Sequence, residues 1–218
     1  MRGKMVGKSL EYAVEAVWGK WVKWVLLIIS MVVFPLLFGY ILDIMRGKKP
    51  APDIENGYTL FVDGLKFLVL AVIYMIPVII VSIPFFLPLV NTFTSHSPYT
   101  MSAALRSAAG GMLVAIILAF ILDLFAIVGV IRFARTGSMG EAFNFSAILA
   151  YIGRIGWGRY IRSLIVLLVV VLVMFGILSL IPYIYNILII LVLAPVIYIF
   201  WARYLTLLYD GAVSPPAA

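Results

Sequence analysis

The chain has 218 residues, 65% of them apolar and only 11% charged, with a formal net charge of +7. Soluble domains run near 45–50% apolar and about 25% charged, so a water-soluble globule is excluded. With no cysteine and a single histidine, His96, disulfides, thiolate metal sites and cysteine nucleophiles are excluded too, and a histidine-based zinc site has no ligands to draw on.

Residues 1–23 come first. Ser9 is placed to cap a helix that carries Leu10, Val14, Val17, Trp18 and Trp21 along one side. Trp18, Trp21 and Trp24 recur beside Lys20 and Lys23. Tryptophan favours the headgroup level and lysine snorkels to it, so 1–23 reads as an amphipathic interfacial helix. Five apolar runs follow, at 24–44, 67–90, 112–130, 164–182 and 186–204. Crossing a hydrocarbon core of about 30 Å takes about 20 apolar residues as a helix. The first run starts late and has no cleavage pattern behind it, so it reads as mature structure rather than a signal peptide.

Basic residues decide how the runs are threaded, because Lys and Arg favour the cytoplasmic side. If all five runs cross, the sixteen basic residues divide six to ten. If 24–44 enters and returns on one side, fifteen of the sixteen share a face and only Arg106 is opposite. Pro35 lies inside that run, where it removes a helix hydrogen bond. The expected fold is therefore all-α and integral to the membrane. One membrane domain, 1–218, holds four spanning helices and an N-terminal re-entrant or interfacial helical hairpin, with both termini cytoplasmic; five spanning helices are the alternative. Run 67–90 contains Pro77, Pro84 and Pro88 and should kink. Residues 138–163 form an amphipathic connecting helix, begun by Ser138 with Glu141 at capping-box spacing and weakened by Gly153, Gly156 and Gly158. Pro182 opens the short break before the last run.

The string Ile155-Gly156-Trp157-Gly158-Arg159-Tyr160 leads into an apolar run ending Leu180-Ile181-Pro182, with Ala202-Arg203 and Leu208-Tyr209 beyond. Upstream lie Phe38-Gly39-Tyr40, then Phe61-Val62-Asp63-Gly64-Leu65-Lys66, then Tyr74 and Pro77, and later Ala142-Phe143-Asn144-Phe145. Together these strings resemble domain of unknown function 4013, a multi-pass family found mainly in archaea and some bacteria. The resemblance covers most of the chain. Where that family tends to carry a tryptophan among acids ahead of Phe61, this chain has Pro52-Asp53-Ile54-Glu55-Asn56. The family has no established activity, so the resemblance implies architecture and no substrate.

Few residues carry chemistry. Asp123 lies near the middle of 112–130, nine residues before Arg132. A carboxylate at that depth costs about 2.5–3.5 kcal/mol on insertion scales, so it should face protein or water, or be protonated. Ala103, Ser107, Gly111, Ala115 and Ala119 step by four towards it, a ridge over which another helix could approach closely. Asp123 is a proton or cation site on one reading, and on the other a structural hydrogen bond to Tyr74, Ser179 or Tyr198. Arg154, Arg159 and Arg162 flank Trp157 and Tyr160 where the chain re-enters the membrane. They suit a lipid phosphate pocket, arginine's planar fork matching the acceptor, or else ordinary positive-inside anchoring with belt aromatics. Asp63, Gly64 and Lys66 precede run 67–90; Asp63 caps that helix, pairs with the 154–162 arginines, or is a solvated interfacial pair. His96 reads as a loop residue.

The expected function is a non-enzymatic scaffold, or a subunit that binds lipids or partners, with a basic cytoplasmic face towards anionic headgroups. Homo- or hetero-oligomers would form through the ridge Ala103–Ala119. No cofactor, metal or nucleic acid is expected. The alternative is a small proton- or cation-coupled transporter or channel using Asp123. An intramembrane hydrolase would need a buried nucleophile and base, and the spans hold only scattered serines.

Overall fold

A computed structural model describes residues 2–54, 56–95, 98–180 and 183–212. Among these it is almost wholly helical and has no strand. The helices are α1 (Arg2–Val17), α2 (Trp21–Val32), α3 (Phe34–Met45), α4 (Gly57–Ser95), α5 (Pro98–Thr136), α6 (Phe145–Ile155), α7 (Trp157–Ser179) and α8 (Tyr183–Asp210). Four stretches are long and apolar enough to cross a membrane: Gly57–Thr92, Thr100–Thr136, Trp157–Ser179 and Leu191–Asp210. They contain the runs expected at 67–90 and 112–130 and most of those at 164–182 and 186–204. Pro182 and His96 lie outside the described residues.

Run 24–44 is two helices. Each has 12 residues, about 18 Å at 1.5 Å per residue, too short to cross alone. The chain folds back at Val33 (φ −101°, ψ 75°). Pro35 is not the break itself. It sits in the first turn of α3, where its missing N–H has no helical acceptor to lose. The reversal brings Lys23 Nζ within 5.8 Å of the Tyr40 ring centroid and 3.2 Å from the Ala51 carbonyl oxygen, to which it donates. A continuous helix would hold positions 23 and 40 about 25 Å apart.

Contacts divide the chain into two compact units, residues 1–68 with 128–218, and residues 69–127. In the larger unit α3 runs antiparallel to the start of α4 with backbones nearly touching. Gly39 meets the Leu60 carbonyl and Gly64 meets the Pro35 carbonyl, and neither leaves space for a β-carbon. α8 is the centre of this unit, packed by α1, α2, α3 and α7. Its Tyr204 is fully buried and donates to the Ser163 carbonyl on α7 at 3.0 Å.

The termini of the elements depart from expectation in two places. Ser9 caps nothing: α1 begins at Arg2, and the buried Ser9 hydroxyl donates to the Met5 carbonyl one turn back, at 2.8 Å. Ser138 makes no side-chain cap, and Glu141 bonds to Arg132 rather than closing a capping box. A 3-10 turn over Met139–Ala142 comes first, and α6 starts later, its cap being Asn144, whose side chain accepts from the Ala147 N–H at 3.2 Å.

In the smaller unit the outer parts of α4 and α5 form a helical hairpin. Ser107 Oγ donates to the Phe85 carbonyl at 3.1 Å, and Gly111 packs directly on the Phe85 side chain. α4 continues as one helix through Pro77, Pro84 and Pro88, as spanning helices tolerate when neighbours take up the freed carbonyls.

Candidate functional site

The corner between α6 and α7 turns on one residue. Gly156 has φ 86° and ψ 120°, a conformation open to glycine and strained for any side chain. Its N–H donates to the Ile152 carbonyl at 2.9 Å, ending α6. Its own carbonyl accepts from the Arg159 and Tyr160 N–H groups at 2.9 Å, starting α7. Arg159 and Arg162 therefore stand in the first two turns of α7, one turn apart.

These two arginines line one cavity of about 440 Å³ with Met5 of α1, Ile155 of α6, Leu207 of α8 and Gly211 just beyond it. Arg162 Nε donates to the Gly158 carbonyl at 2.7 Å, which fixes its stem and leaves both Nη groups for another acceptor. Neither arginine has a carboxylate within ion-pair distance among the described residues. The pocket is thus apolar over much of its wall and cationic at its rim.

The other members of the sequence cluster separate from this pair. Arg154 stacks over the Tyr151 ring at 5.6 Å and lies outside the cavity lining. Trp157 is 41% exposed, as a headgroup-level aromatic requires, whereas Tyr160 has no exposure at all. Tyr160 is therefore a core residue of α7 and not part of the cavity lining.

A second polar region occupies the ends of α3, α4, α5 and α8. Arg46 bonds to Asp43 and Asp63 and donates to the Ala134 carbonyl at 3.3 Å. Lys48 reaches Asp43 at 2.6 Å and Lys66 reaches Asp63 at 3.3 Å. Arg135 donates to Asp210 at 2.7 Å and to the Met45 carbonyl at 2.8 Å. Asp63 therefore pairs with Arg46 and Lys66, and not with the 154–162 arginines. Burial works against the Arg46 cation, but bonds from both carboxylates outweigh it and raise its pKa. At the edge Lys23 bonds Asp53 at 2.9 Å and holds that carboxyl below the ordinary carboxylate range. Arg132 does the same for Glu141. Arg46 was not among the candidates from sequence, although Asp43 three residues before it was the available signal. Arg203 was also missed as a polar feature: it is buried, its Nη1 has no hydrogen-bond partner among the described residues, and it lies 4.5 Å from the Tyr12 ring centroid.

Asp123 belongs to the smaller unit. It is exposed on α5, and among the described residues of that unit no hydrogen bond or ion pair joins it to Tyr74. The stepwise ridge does not lead to it, because a step of four residues drifts about 40° round a helix with 3.6 residues per turn. From Gly111, which faces Phe85, to Asp123 the drift reaches about 120°.

No curated protein and no solved structure matches the chain. The family that does match, described as proteins of unknown function, covers residues 24–183. That stretch includes the α2–α3 reversal, the close α3–α4 contact and the Gly156 corner with its two arginines. The chain belongs to this family, DUF4013.

Proposed function

We propose that the chain is a multi-pass protein of the cell membrane, with both termini cytoplasmic. On this reading it works without catalysis, as a scaffold or partner-binding subunit that holds an anionic lipid in the Arg159–Arg162 pocket. The observation that carries the proposal is the pair of guanidinium groups, free of carboxylates, at the rim of a pocket with apolar walls. They stand where α7 begins its apolar span. Arginine's planar fork suits a phosphate, the positive end of α7 adds to it, and Met5, Ile155 and Leu207 can meet the first methylenes below. The fold-back at Val33 supports the threading that gathers fifteen of sixteen basic residues on one face. α1 supports it as well: Leu10, Val14 and Trp18 form an exposed apolar stripe beside Lys4 and Lys8, as an interfacial helix would present.

The coupled-transport reading would need Asp123 on a water path, and its place on the exposed face of α5 does not favour that. Native mass spectrometry of purified protein offered phosphatidylglycerol and phosphatidylcholine tests the proposal. Wild type should retain the anionic lipid, and exchange of Arg159 and Arg162 for Gln should reduce that retention about tenfold or more, a loss on the order of one charge-assisted hydrogen bond. Equal retention of both lipids, or no change in the double variant, would overturn it.

A further inference from the structure

Asp123 ends an exposed strip of α5. Counted at 100° per residue, Leu105, Met112 and Ile116 fall within about 20° of it and Phe120 within about 60°. Leu105, Met112, Ile116 and Phe120 are each more than half exposed, at 54, 59, 54 and 56%. The buried positions of α5 in this unit, Ala104, Ala108 and Gly111, fall about 60–120° round one side. So the hairpin partner α4 does not cover the carboxyl. Among the described residues no hydrogen bond reaches the carboxyl, and an unpaired carboxyl at mid-span with apolar neighbours is costly in hydrocarbon and is met by another polar group or not at all.

We propose that α5 pairs with α5 of a second copy of the chain, and that the two Asp123 side chains hydrogen-bond to each other across the two-fold axis. Two copies inserted the same way carry Asp123 at one depth, so a two-fold axis along the membrane normal sets position 123 against itself. A protonated carboxyl offers one donor and one acceptor, and a pair sharing at least one proton satisfies both partners. This occupant is self-complementary, whereas an apolar lipid chain offers nothing to the carboxyl. The central part of the Ala103–Ala119 ridge is occupied within the chain at Ser107 and Gly111, so the interface lies on the strip through Asp123 and not on the ridge. The inference does not depend on the arginine pocket.

The chain has no cysteine, which makes the test direct. Single-cysteine variants at Met112 and Ile116, made with Asp123 intact and reconstituted at low density in liposomes, should cross-link between copies under mild oxidation. Ile117 and Ile121 are also exposed, at 61 and 45%, but lie about 120–160° from Asp123, and cysteines there should cross-link at least about tenfold less. In single-molecule photobleaching, wild type should show two steps, Asp123→Asn should keep them through an amide pair, and Asp123→Leu should show one. Cross-linking of equal strength at all four positions, a monomeric wild type, or a dimer indifferent to Asp123→Leu would each overturn the proposal.

Discussion

The two basic regions of the larger unit use the same residue types to opposite ends. Around Arg46, each of the cations Arg46, Lys48, Lys66 and Arg135 reaches an aspartate. At the start of α7, Arg159 and Arg162 reach none among the described residues and open onto a cavity. The difference lies in the elements that supply the charges. The Arg46 region collects four helix ends: Asp63 of α4 meets Arg46 at the end of α3, Asp210 of α8 meets Arg135 of α5, and Asp43 of α3 holds Arg46 and Lys48 just beyond its own helix. The α7 start is flanked by α1, α6 and the end of α8 through Met5, Ile155, Leu207 and Gly211, none of which can neutralise a guanidinium. Paired charges hold helices together; unpaired ones at a pocket rim are left to bind something from outside.

The largest effect expected from that contrast is on stability. Replacing Arg46 with Met leaves Asp63 with Lys66 alone and Asp43, 7% exposed, with Lys48 alone. Loss of one partner from a buried charged cluster typically costs about 3–5 kcal/mol. Arg46 keeps 29% side-chain exposure, so a loss of about 3 kcal/mol is expected, read as a lowered midpoint in thermal unfolding in detergent. A variant that melts with wild type would mean the network is surface decoration.

The next effect falls on the geometry of the unpaired region. Gly156→Ala forces a side chain into φ 86°, a strain of about 1–3 kcal/mol. It should shift the α6–α7 corner, lowering the unfolding midpoint and reducing anionic-lipid retention together. Arg159→Gln alone should separate those readouts. An exposed charge with no partner contributes within about 0.5 kcal/mol to stability, so its melting curve should overlay wild type while phosphatidylglycerol retention falls several-fold. Loss of stability in Arg159→Gln would place that residue with Arg46 and erase the distinction between the regions.

How much of this was legible beforehand follows the range of the signal. Apolar length gave four helices long enough to cross a membrane, and within 24–44 the chain does reverse, at Val33. The arginines converged as a pair because positions 159 and 162 are one turn apart, a purely local relation. What failed needed a partner distant in sequence. Of the alternatives open to Asp63, the local pair with Lys66 forms, and the partner the sequence does not point to, Arg46, lies across a loop from it. Ser9 looked like a cap, but α1 continues through it to pack on α8. Tyr160 looked like a belt aromatic because composition does not distinguish the buried side of α7 from the side Trp157 faces. The ridge ending at Asp123 failed for a geometric reason: counting by fours ignores the drift round the helix, which is decisive over three steps.

The smallest effect belongs to the rim of the paired region, where Lys23 meets Asp53. The aspartate side chain is 63% exposed, and exposed pairs contribute less than about 1 kcal/mol, so Asp53→Asn should lower the unfolding midpoint only slightly near neutral pH. Its pH dependence has a definite sign. Lys23 lowers the folded-state pKa of Asp53 below the ordinary value, so the unfolded chain takes up the proton first as pH falls. The stabilisation is complete above the unfolded-state pKa of about 3.9 and disappears as pH drops through the lower, folded one. Melting curves of wild type and Asp53→Asn should therefore differ by the same small amount across pH 5 to 8 and converge only in stronger acid. Convergence at pH 5 or above would mean the Lys23–Asp53 bond does not persist in solution, and that the α2–α3 hairpin is held by the Lys23 bond to the Ala51 carbonyl and by packing on α8.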